Sequence, residues 1–165
     1  MKRVPALLLG AHGHLGAAGY EHYEISNFCK PGMYSRHNTA YWKGIPYLGC
    51  GPSAHSFNAE TREWNTASLE RYIKSIEEGQ RSSETEILDK VTRYNEYIMT
   101  SLRTMWGVSL TYTEEAFGTE LCQYCMKIAV HTSKATNWRC RQTACADREG
   151  IFVSDGIISD LMFID

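Results

Sequence analysis

The sequence predicts a mixed α/β protein made of two parts, and three observations support this fold class. From Gly19 to Phe57 aromatic residues and glycines are dense, and short apolar stretches are separated by Gly and Pro, which is typical of strands joined by loops. Two longer stretches then carry apolar residues at helical spacing. After Gly107, short helical segments precede strand-like pieces. A chain of 165 residues is long enough for one domain or two small ones.

Two helices are predicted in the middle of the chain. The first runs from Thr66 or Ser68 to Glu78, because Ser68 suits an N-cap and Gly79 suits a helix end. Its apolar positions are Leu69, Tyr72, Ile73 and Ile76. The second is predicted as one continuous amphipathic helix from Glu84 to Met105. Its inner side is predicted to carry Ile87, Leu88, Val91, Tyr94, Ile98, Met99, Leu102 and Met105.

The C-terminal part predicts a small α+β module. A helix start near Thr113 is followed by Phe117 and Gly118, and a further helical stretch covers 120–129. Helix, turn, helix, turn, helix and two short strands is the order of a winged-helix domain. We therefore divide the chain into residues 1–82, of which 1–18 are poorly patterned, and residues 83–165.

Composition argues against several classes of function. The net charge is -2 and the isoelectric point about 6.3, so the basic excess of a nucleic-acid-binding protein is missing and no nucleic acid is expected as a partner. No stretch approaches the roughly 20 apolar residues of a membrane-spanning helix. The apolar run after Arg3 is broken by Pro5 and Gly10, which argues against a secretory signal. We expect a cytoplasmic protein.

The six cysteines allow a zinc site as an alternative. They are Cys29, Cys50, Cys122, Cys125, Cys140 and Cys145. The last four form two closely spaced pairs, which is a spacing that tetrahedral zinc–thiolate sites use. Cys122 and Cys125 fall in a predicted helix, however, whereas a zinc knuckle places its first pair on a turn.

A series of motifs in fixed order carries a family resemblance. They are Gly19-Tyr20-Glu21-His22-Tyr23-Glu24-Ile25-Ser26-Asn27-Phe28, Ser35-Arg36-His37-Asn38 with Tyr41-Trp42, Tyr47-Leu48-Gly49, Gly51-Pro52-Ser53-Ala54-His55-Ser56, Trp64-Asn65 and Asn95-Glu96. Together they resemble the C-terminal part of the oxygen-independent coproporphyrinogen III oxidase-like family of radical S-adenosylmethionine proteins. The resemblance covers most of Gly19–Asp165.

The resemblance implies a fold and a limit on the chemistry. Residues 1–82 would be the C-terminal remnant of a radical SAM barrel, which is a partial TIM-type barrel, and 83–165 the winged-helix-like domain that follows it. The family holds a [4Fe–4S] cluster on a CxxxCxxC loop, and this sequence contains no such triplet. We therefore assign no iron–sulfur ligands and no catalytic residues, and expect the cluster and S-adenosylmethionine only in full-length members.

One motif points to heme. Within the family, His-Asn-x-x-Tyr-Trp marks the heme-chaperone branch, and here the resemblance places it at His37, Asn38, Tyr41 and Trp42. A neutral imidazole can ligate heme iron, and an aromatic pair offers a flat apolar surface to a porphyrin. His37 is thus the expected heme-iron ligand. From residue chemistry alone, a histidine beside a tryptophan is more often a packed or hydrogen-bonded side chain.

A second site follows from the Gly49–Ser56 loop. The resemblance puts Ser53, Ala54 and His55 on the side of the barrel that faces S-adenosylmethionine or substrate, where small residues allow a close backbone approach. A tight turn after a buried strand, with His55 capping a backbone group, explains the same residues equally well.

Residues 130–146 lose the texture of the family and are a candidate frameshift. Reading a chosen synonymous coding sequence from Val130 in another frame gives Pro-Tyr-Ile-Lys-Ser-Asp-Lys-Leu-Glu-Met-Pro-Ala-Asp-Gly-Leu-Arg. This string contains a strand, an Asp-Gly turn and another strand, as a wing requires. In that case Cys140 and Cys145 would be products of the shift, and the zinc site would lose half its ligands.

Three functions remain open. The resemblance favours a heme-binding, non-catalytic part of a heme chaperone, with heme and a heme-accepting protein as partners of the parent. The second is a fragment of an oxygen-independent coproporphyrinogen III oxidase of porphyrin biosynthesis. The third is a zinc-binding or nucleic-acid-binding winged-helix module, against which the lack of a basic recognition helix argues.

Overall fold

The computed structural model describes residues 13–133, 138–140, 143–146 and 154–164, and side chains within these ranges except at 132–133, 138–140, 143–146 and 154–155. The helices are α1 (13–17), α2 (Arg36–Trp42), α3 (Leu69–Glu77), α4 (Lys90–Leu102), α5 (Leu110–Ser133) and α6 (Ser154–Leu161). The strands are β1 (Glu21–Glu24), β2 (Asn27–Cys29), β3 (His55–Phe57), β4 (Thr61–Asn65), β5 (Ser83–Ile87), β6 (Val108–Ser109), β7 (Trp138–Cys140) and β8 (Thr143–Ala146). The predicted mixed α/β fold class is confirmed.

The strands form three small sheets, and every pair within the described residues is antiparallel. Strands β1 and β2 make a hairpin, and β3, β4 and β5 make a three-stranded sheet in chain order. The third sheet has the order β6-β8-β7. It closes the sequence α4, β6, α5, β7, β8, which matches the predicted winged-helix-like module. The proposed boundary between residues 82 and 83 stays a prediction, and β5, directly after it, pairs with β4.

The main core lies in the C-terminal module. Buried positions recur about every four residues in α4 and α5, as expected for helices that each pack along one face. The core consists of Tyr94, Ile98, Leu102, Val108, Phe117, Leu121, Cys125, Ala129, Ile157, Ile158 and Leu161. Full burial of one side chain such as Leu102 contributes roughly 1.5–3 kcal/mol to the free energy of unfolding. The Tyr94 hydroxyl donates to the Leu161 carbonyl oxygen over 3.2 Å, and burial raises its pKa.

One predicted helix is partly wrong. Residues 84–87 belong to strand β5, and the helix α4 begins only after Asp89, whose side chain accepts a hydrogen bond from the Thr92 amide over 2.7 Å. Pairing with β4 decides the difference, because the five residues of β5 form a continuous register with β4. Ile87, predicted on the inner side of the helix, is 82% exposed. The helix α3 is confirmed, with Ser68 as its N-cap and Gly79 at φ 70° after its end.

The helix α5 contains the predicted break at Gly118. Its φ of 85° and ψ of 168° lie outside the helical region, so two helical segments meet there. Cys122 and Cys125 lie in the second segment, and both side chains are buried. The side chains of Cys140 and Cys145, on which the zinc alternative depends, lie outside the described residues. The frameshift at 130–146 stays a prediction.

A buried carboxylate fixes the first hairpin to the C-terminal module. Glu24 is 4% exposed, and its Oε2 accepts hydrogen bonds from the Ser26 amide and hydroxyl, each over 3.0 Å, and from the Asn27 side-chain amide. Its Oε1 lies 3.5 Å from a guanidinium nitrogen of Arg103, just after α4. A backbone hydrogen bond joins the same two parts of the chain, because the Met105 amide donates to the Tyr23 carbonyl oxygen over 3.0 Å.

We expect Glu24→Ala to lower the free energy of unfolding by about 2–3 kcal/mol, because three donors lose a charged acceptor. Arg103 is partly exposed, so its ion pair supplies the smaller share. Urea unfolding followed by circular dichroism measures the loss. Glu77→Ala, at an exposed position in α3, is the matched control. Equal stability of the two variants would contradict the prediction.

The N-cap of α4 predicts a pH dependence. The hydrogen bond from the Thr92 backbone amide, followed by one from the Thr92 side chain, holds the pKa of Asp89 below its ordinary value of 3.8. Because the folded pKa is the lower one, the contribution of the charge is complete above 3.8 and is lost as the pH falls through the folded pKa. Asp89→Asn should be less stable than the wild type at neutral pH, and the two should converge in acid. A difference in unfolding free energy that does not change with pH would refute this.

Candidate functional site

The short helix α2 presents the four residues of the expected heme motif. Ser35 caps it by accepting a hydrogen bond from the Asn38 amide over 3.3 Å. His37 and Tyr41 are one helical turn apart, so their rings meet edge to face with centroids 4.9 Å apart. Trp42 points to the other side and meets Tyr23 at 5.9 Å. The sequence predicted strands and loops here and missed the helix.

A cavity of about 520 Å³ lies beside α2. Its walls come from the end of α2, from the β3–β4 sheet, from α4 and from the segment that follows α4. Aromatic residues dominate these walls, and they are Tyr41, Trp42, Tyr47, Phe57, Tyr97, Trp106 and Tyr112. The volume and the apolar lining are those of a small-molecule or cofactor site.

The β3–β4 sheet holds one aromatic wall in place. Tyr47 and Phe57 exchange backbone hydrogen bonds of 2.9 Å, and their rings stack at 5.9 Å. Tyr41 meets the other edge of Tyr47 at 4.7 Å. Desolvation by burial and the neighbouring Tyr41 raise the pKa of Tyr47, so its phenol stays protonated at neutral pH.

Charged side chains line the same cavity. Among the described residues these are the cations Lys43, Arg62 and Arg93 and one carboxylate, Glu96. Arg62 lies 2.5 Å from Glu96 and 3.6 Å from Glu86, and the hydrogen bond with Glu96 is the largest cause of its raised pKa. The amino group of Lys43 lies 5.2 Å from the centre of the Trp106 ring. The cavity thus combines flat apolar walls with an excess of positive charge.

The structure divides the predicted heme residues into two pairs. Tyr41 and Trp42 line the cavity, whereas His37 and Asn38 are not among its lining residues. The imidazole of His37 is exposed and sits next to the Tyr41 ring. The imidazole of His37 therefore lies next to the place where a planar ligand would contact Tyr41. The aromatic walls fit the apolar face of a heme, and coordination of its iron by His37 stays a prediction.

Ser53, Ala54 and His55 do not line this cavity: the first two lie in a tight turn, and His55 begins β3. Ser53 has a φ of 58°, and its amide donates to the Thr66 carbonyl oxygen over 3.2 Å. Ala54 accepts a hydrogen bond from the Asn65 amide over 3.0 Å. The exposed His55 ring tilts against Trp64 at 6.1 Å. The role of these residues toward S-adenosylmethionine or substrate stays a prediction.

Close packing explains the glycine that precedes this turn. A side chain at Gly49 would place its first carbon 2.2 Å from the His55 carbonyl oxygen. The Asn65 side-chain amide donates to the carbonyl oxygens of Gly49 and Gly51, over 3.2 and 2.9 Å. The loop is therefore shaped by its own hydrogen bonds.

The described residues do not fit an iron–sulfur cluster. Within that part of the chain, no three His, Cys, Asp or Glu side chains come close enough together to hold a metal ion. Cys29 is buried in β2, Cys50 is exposed in a loop, and Cys122 and Cys125 are buried in α5. None of them belongs to a CxxxCxxC triplet.

Comparisons with known proteins show which family the chain resembles. The chain is 36% identical over 103 residues to the heme chaperone HemW of Lactococcus lactis, which covers 62% of this chain and 27% of that protein. It is 37% identical over 106 residues to the heme chaperone HemW of Bacillus subtilis, covering 64% and 28%. With HemW of Mycobacterium tuberculosis the identity is 47% over 62 residues, covering 38% and 16%. Over these residues the chain is similar to HemW proteins of the radical SAM family.

The HemW-like chain also shares a known fold. It overlays with a TM-score of 0.67 and 15% identity on the coproporphyrinogen III oxidase HemN of Escherichia coli, described as a radical SAM enzyme, over 94% of this chain and 40% of that one. At this identity the match shows the fold alone. No family model matches the chain. The chain spans about a quarter of the length of the HemW proteins of Lactococcus and Bacillus.

Within the described ranges, no helix combines the length and the apolar character that a bilayer crossing demands. The cavity residues outside α2, above all Arg62, Arg93, Glu96 and Trp106, escaped the site prediction. Asn95-Glu96 was a motif of the resemblance, so a partial signal for α4 was present in the sequence.

Proposed function

We propose that this chain is the heme-binding C-terminal part of a heme chaperone that delivers heme to acceptor proteins in the cytoplasm, and that it is itself non-catalytic. The names of its relatives support heme as the ligand. A heme-accepting protein then follows as the partner, since a chaperone must release its cargo to a recipient.

The single observation that carries the proposal is the position of the Tyr41–Trp42 pair. Both residues come from the motif expected to contact heme, and both line the aromatic cavity beside α2. Tyr41 is 42% exposed, so part of its ring is free to receive a planar ligand. His37, one turn earlier, offers an imidazole next to that ring.

A second candidate is a part of an oxygen-independent coproporphyrinogen III oxidase, and the fold of the Escherichia coli protein favours it. That reaction would need a cluster that the described residues do not hold. The chaperone is the stronger candidate because the relatives at 36–47% identity carry that name.

If His37 is an axial ligand, His37→Ala should shift the Soret band of the heme-loaded chain and weaken heme binding by roughly tenfold or more, because an iron–imidazole bond is lost. Trp42→Ala should weaken binding with a smaller spectral change, since it removes apolar contact and leaves coordination intact. Tyr41→Ala provides the same test at a half-exposed position. Heme titration followed by absorbance measures both effects.

Rival ligands serve as controls for the His37 experiment. Cys29 is 8% exposed and His55 lies outside the cavity, so Cys29→Ala and His55→Ala should leave the spectrum unchanged. Met99 lines the cavity and carries a thioether that can ligate iron, so Met99→Leu is the third control. An unchanged spectrum in His37→Ala, together with a shifted spectrum in one control, would assign the iron ligand to that control residue instead of His37. Unchanged spectra in all four variants would mean that any heme binding is nonspecific adsorption.

The non-catalytic part of the proposal has its own test. Purified without oxygen and supplied with iron, sulfide and a reductant, the chain should hold no iron–sulfur cluster and should not cleave S-adenosylmethionine, because the ligands of a cluster are missing from the sequence. Iron and sulfide analysis, together with assays for methionine and 5′-deoxyadenosine, measures this. Stoichiometric cluster with methionine formation would overturn it and favour the enzyme candidate.

A further inference from the structure

We propose that the cavity beside α2 recognises the carboxylate groups of its porphyrin ligand through Lys43 and Arg93, and that Glu96 weakens this recognition by holding Arg62. The inference deepens the proposed function and rests on it. It assigns polar specificity to a site whose expected residues account only for iron ligation and apolar contact.

The aromatic walls alone cannot select a ligand. Rings such as Tyr41, Trp42 and Trp106 accept any flat apolar molecule, and specificity in such cavities comes from a few placed polar groups. Heme carries two ionised propionates at neutral pH, and these need cationic partners where they leave water. Side chains of the cavity lining supply such partners.

Arg62 is the cation that is already engaged. Its guanidinium contacts Glu96 at 2.5 Å and Glu86 at 3.6 Å, and the side chain of Arg62 is 30% exposed. A ligand carboxylate at this end of the cavity would meet the negative charge of Glu96 as well as Arg62. The pair therefore opposes, rather than attracts, an anionic group while Glu96 is present.

Arg93 is differently placed. It lies on α4 one turn before Glu96 and Tyr97, and its Nε is buried without a hydrogen-bond partner. Buried polar atoms of proteins nearly always have a partner, so an unpaired guanidinium nitrogen at a cavity needs an explanation. A ligand carboxylate explains it, because an arginine that binds a carboxylate can turn its guanidinium so that these nitrogens become paired.

Lys43 supplies the second cation of the cavity lining. It follows α2 directly, and its amino group sits over the Trp106 ring, which lines the cavity. A cation over an aromatic face keeps part of its charge available to an anion at the ring edge. Lys43 and Arg93 thus come from two separate parts of the cavity wall, the C-cap of α2 and the helix α4.

The test uses the full chain with metal-free protoporphyrin IX and its dimethyl ester, which share the ring and lack iron. Binding is followed by quenching of tryptophan fluorescence at fixed ionic strength. The wild type should bind the diacid about tenfold more tightly than the diester. Arg93→Gln and Lys43→Gln should each reduce that preference severalfold, because affinity for the diacid falls more than affinity for the diester. Glu96→Gln should strengthen diacid binding.

Arg71→Gln, an exposed arginine of α3 outside the cavity, is the matched control and should leave the preference unchanged. Equal affinity of the wild type for diacid and diester overturns the inference without any variant, so a variant that fails to fold does not decide the matter. A loss of diester binding in Arg93→Gln would assign it a structural role and overturn its role in recognition. If heme still binds with a His37-dependent Soret band while both iron-free probes bind equally, the inference fails and the proposed function stands. If neither heme nor the probes bind, both fail.

Discussion

The carboxylate of Glu24 is the interaction on which the arrangement of this chain depends. It is almost fully buried at the end of β1, where it accepts three hydrogen bonds from its own turn and reaches Arg103 at the end of α4. A buried carboxylate is costly without such partners, so the turn and the helix end are held together by its need for them. Two backbone hydrogen bonds, from Ile25 to Arg103 and from Met105 to Tyr23, join the same hairpin to the end of α4.

The position of the aromatic cavity follows from this attachment. Tyr23 lies beside Glu24, and its buried ring contacts Trp42 from α2 and Trp106 from the segment after α4. Both tryptophans also line the cavity. The hairpin therefore contacts both α2 and the segment after α4, and helps to set the distance between them.

Local signals in the sequence were sufficient for some elements and not for others. The helix α3 was predictable because its cap, its apolar spacing and its terminating glycine all lie within about a dozen residues. The start of the second helix was placed six residues too early, since Ile87 and Leu88 continue the helical spacing while pairing with β4 makes 83–87 a strand. The seven-residue α2 is too short for periodicity to reveal it. In the site, Tyr41 and Trp42 came from a motif, but Arg93 joins them at the same cavity only through the packing of distant elements, which no local pattern records.

The cavity has walls from elements that are far apart in the chain, and this gives its ligand a mechanical role. Tyr41 and Trp42 belong to α2, Phe57 and Arg62 to the β3–β4 sheet, and Arg93 and Tyr97 to α4. A molecule that contacts all three elements is a noncovalent cross-link, and its binding free energy adds to the free energy that keeps them together. Loading and unfolding are then coupled equilibria. Any protein that pulled α2 away from α4 would lower the affinity for such a ligand by the free energy that the ligand contributes to holding the two helices together.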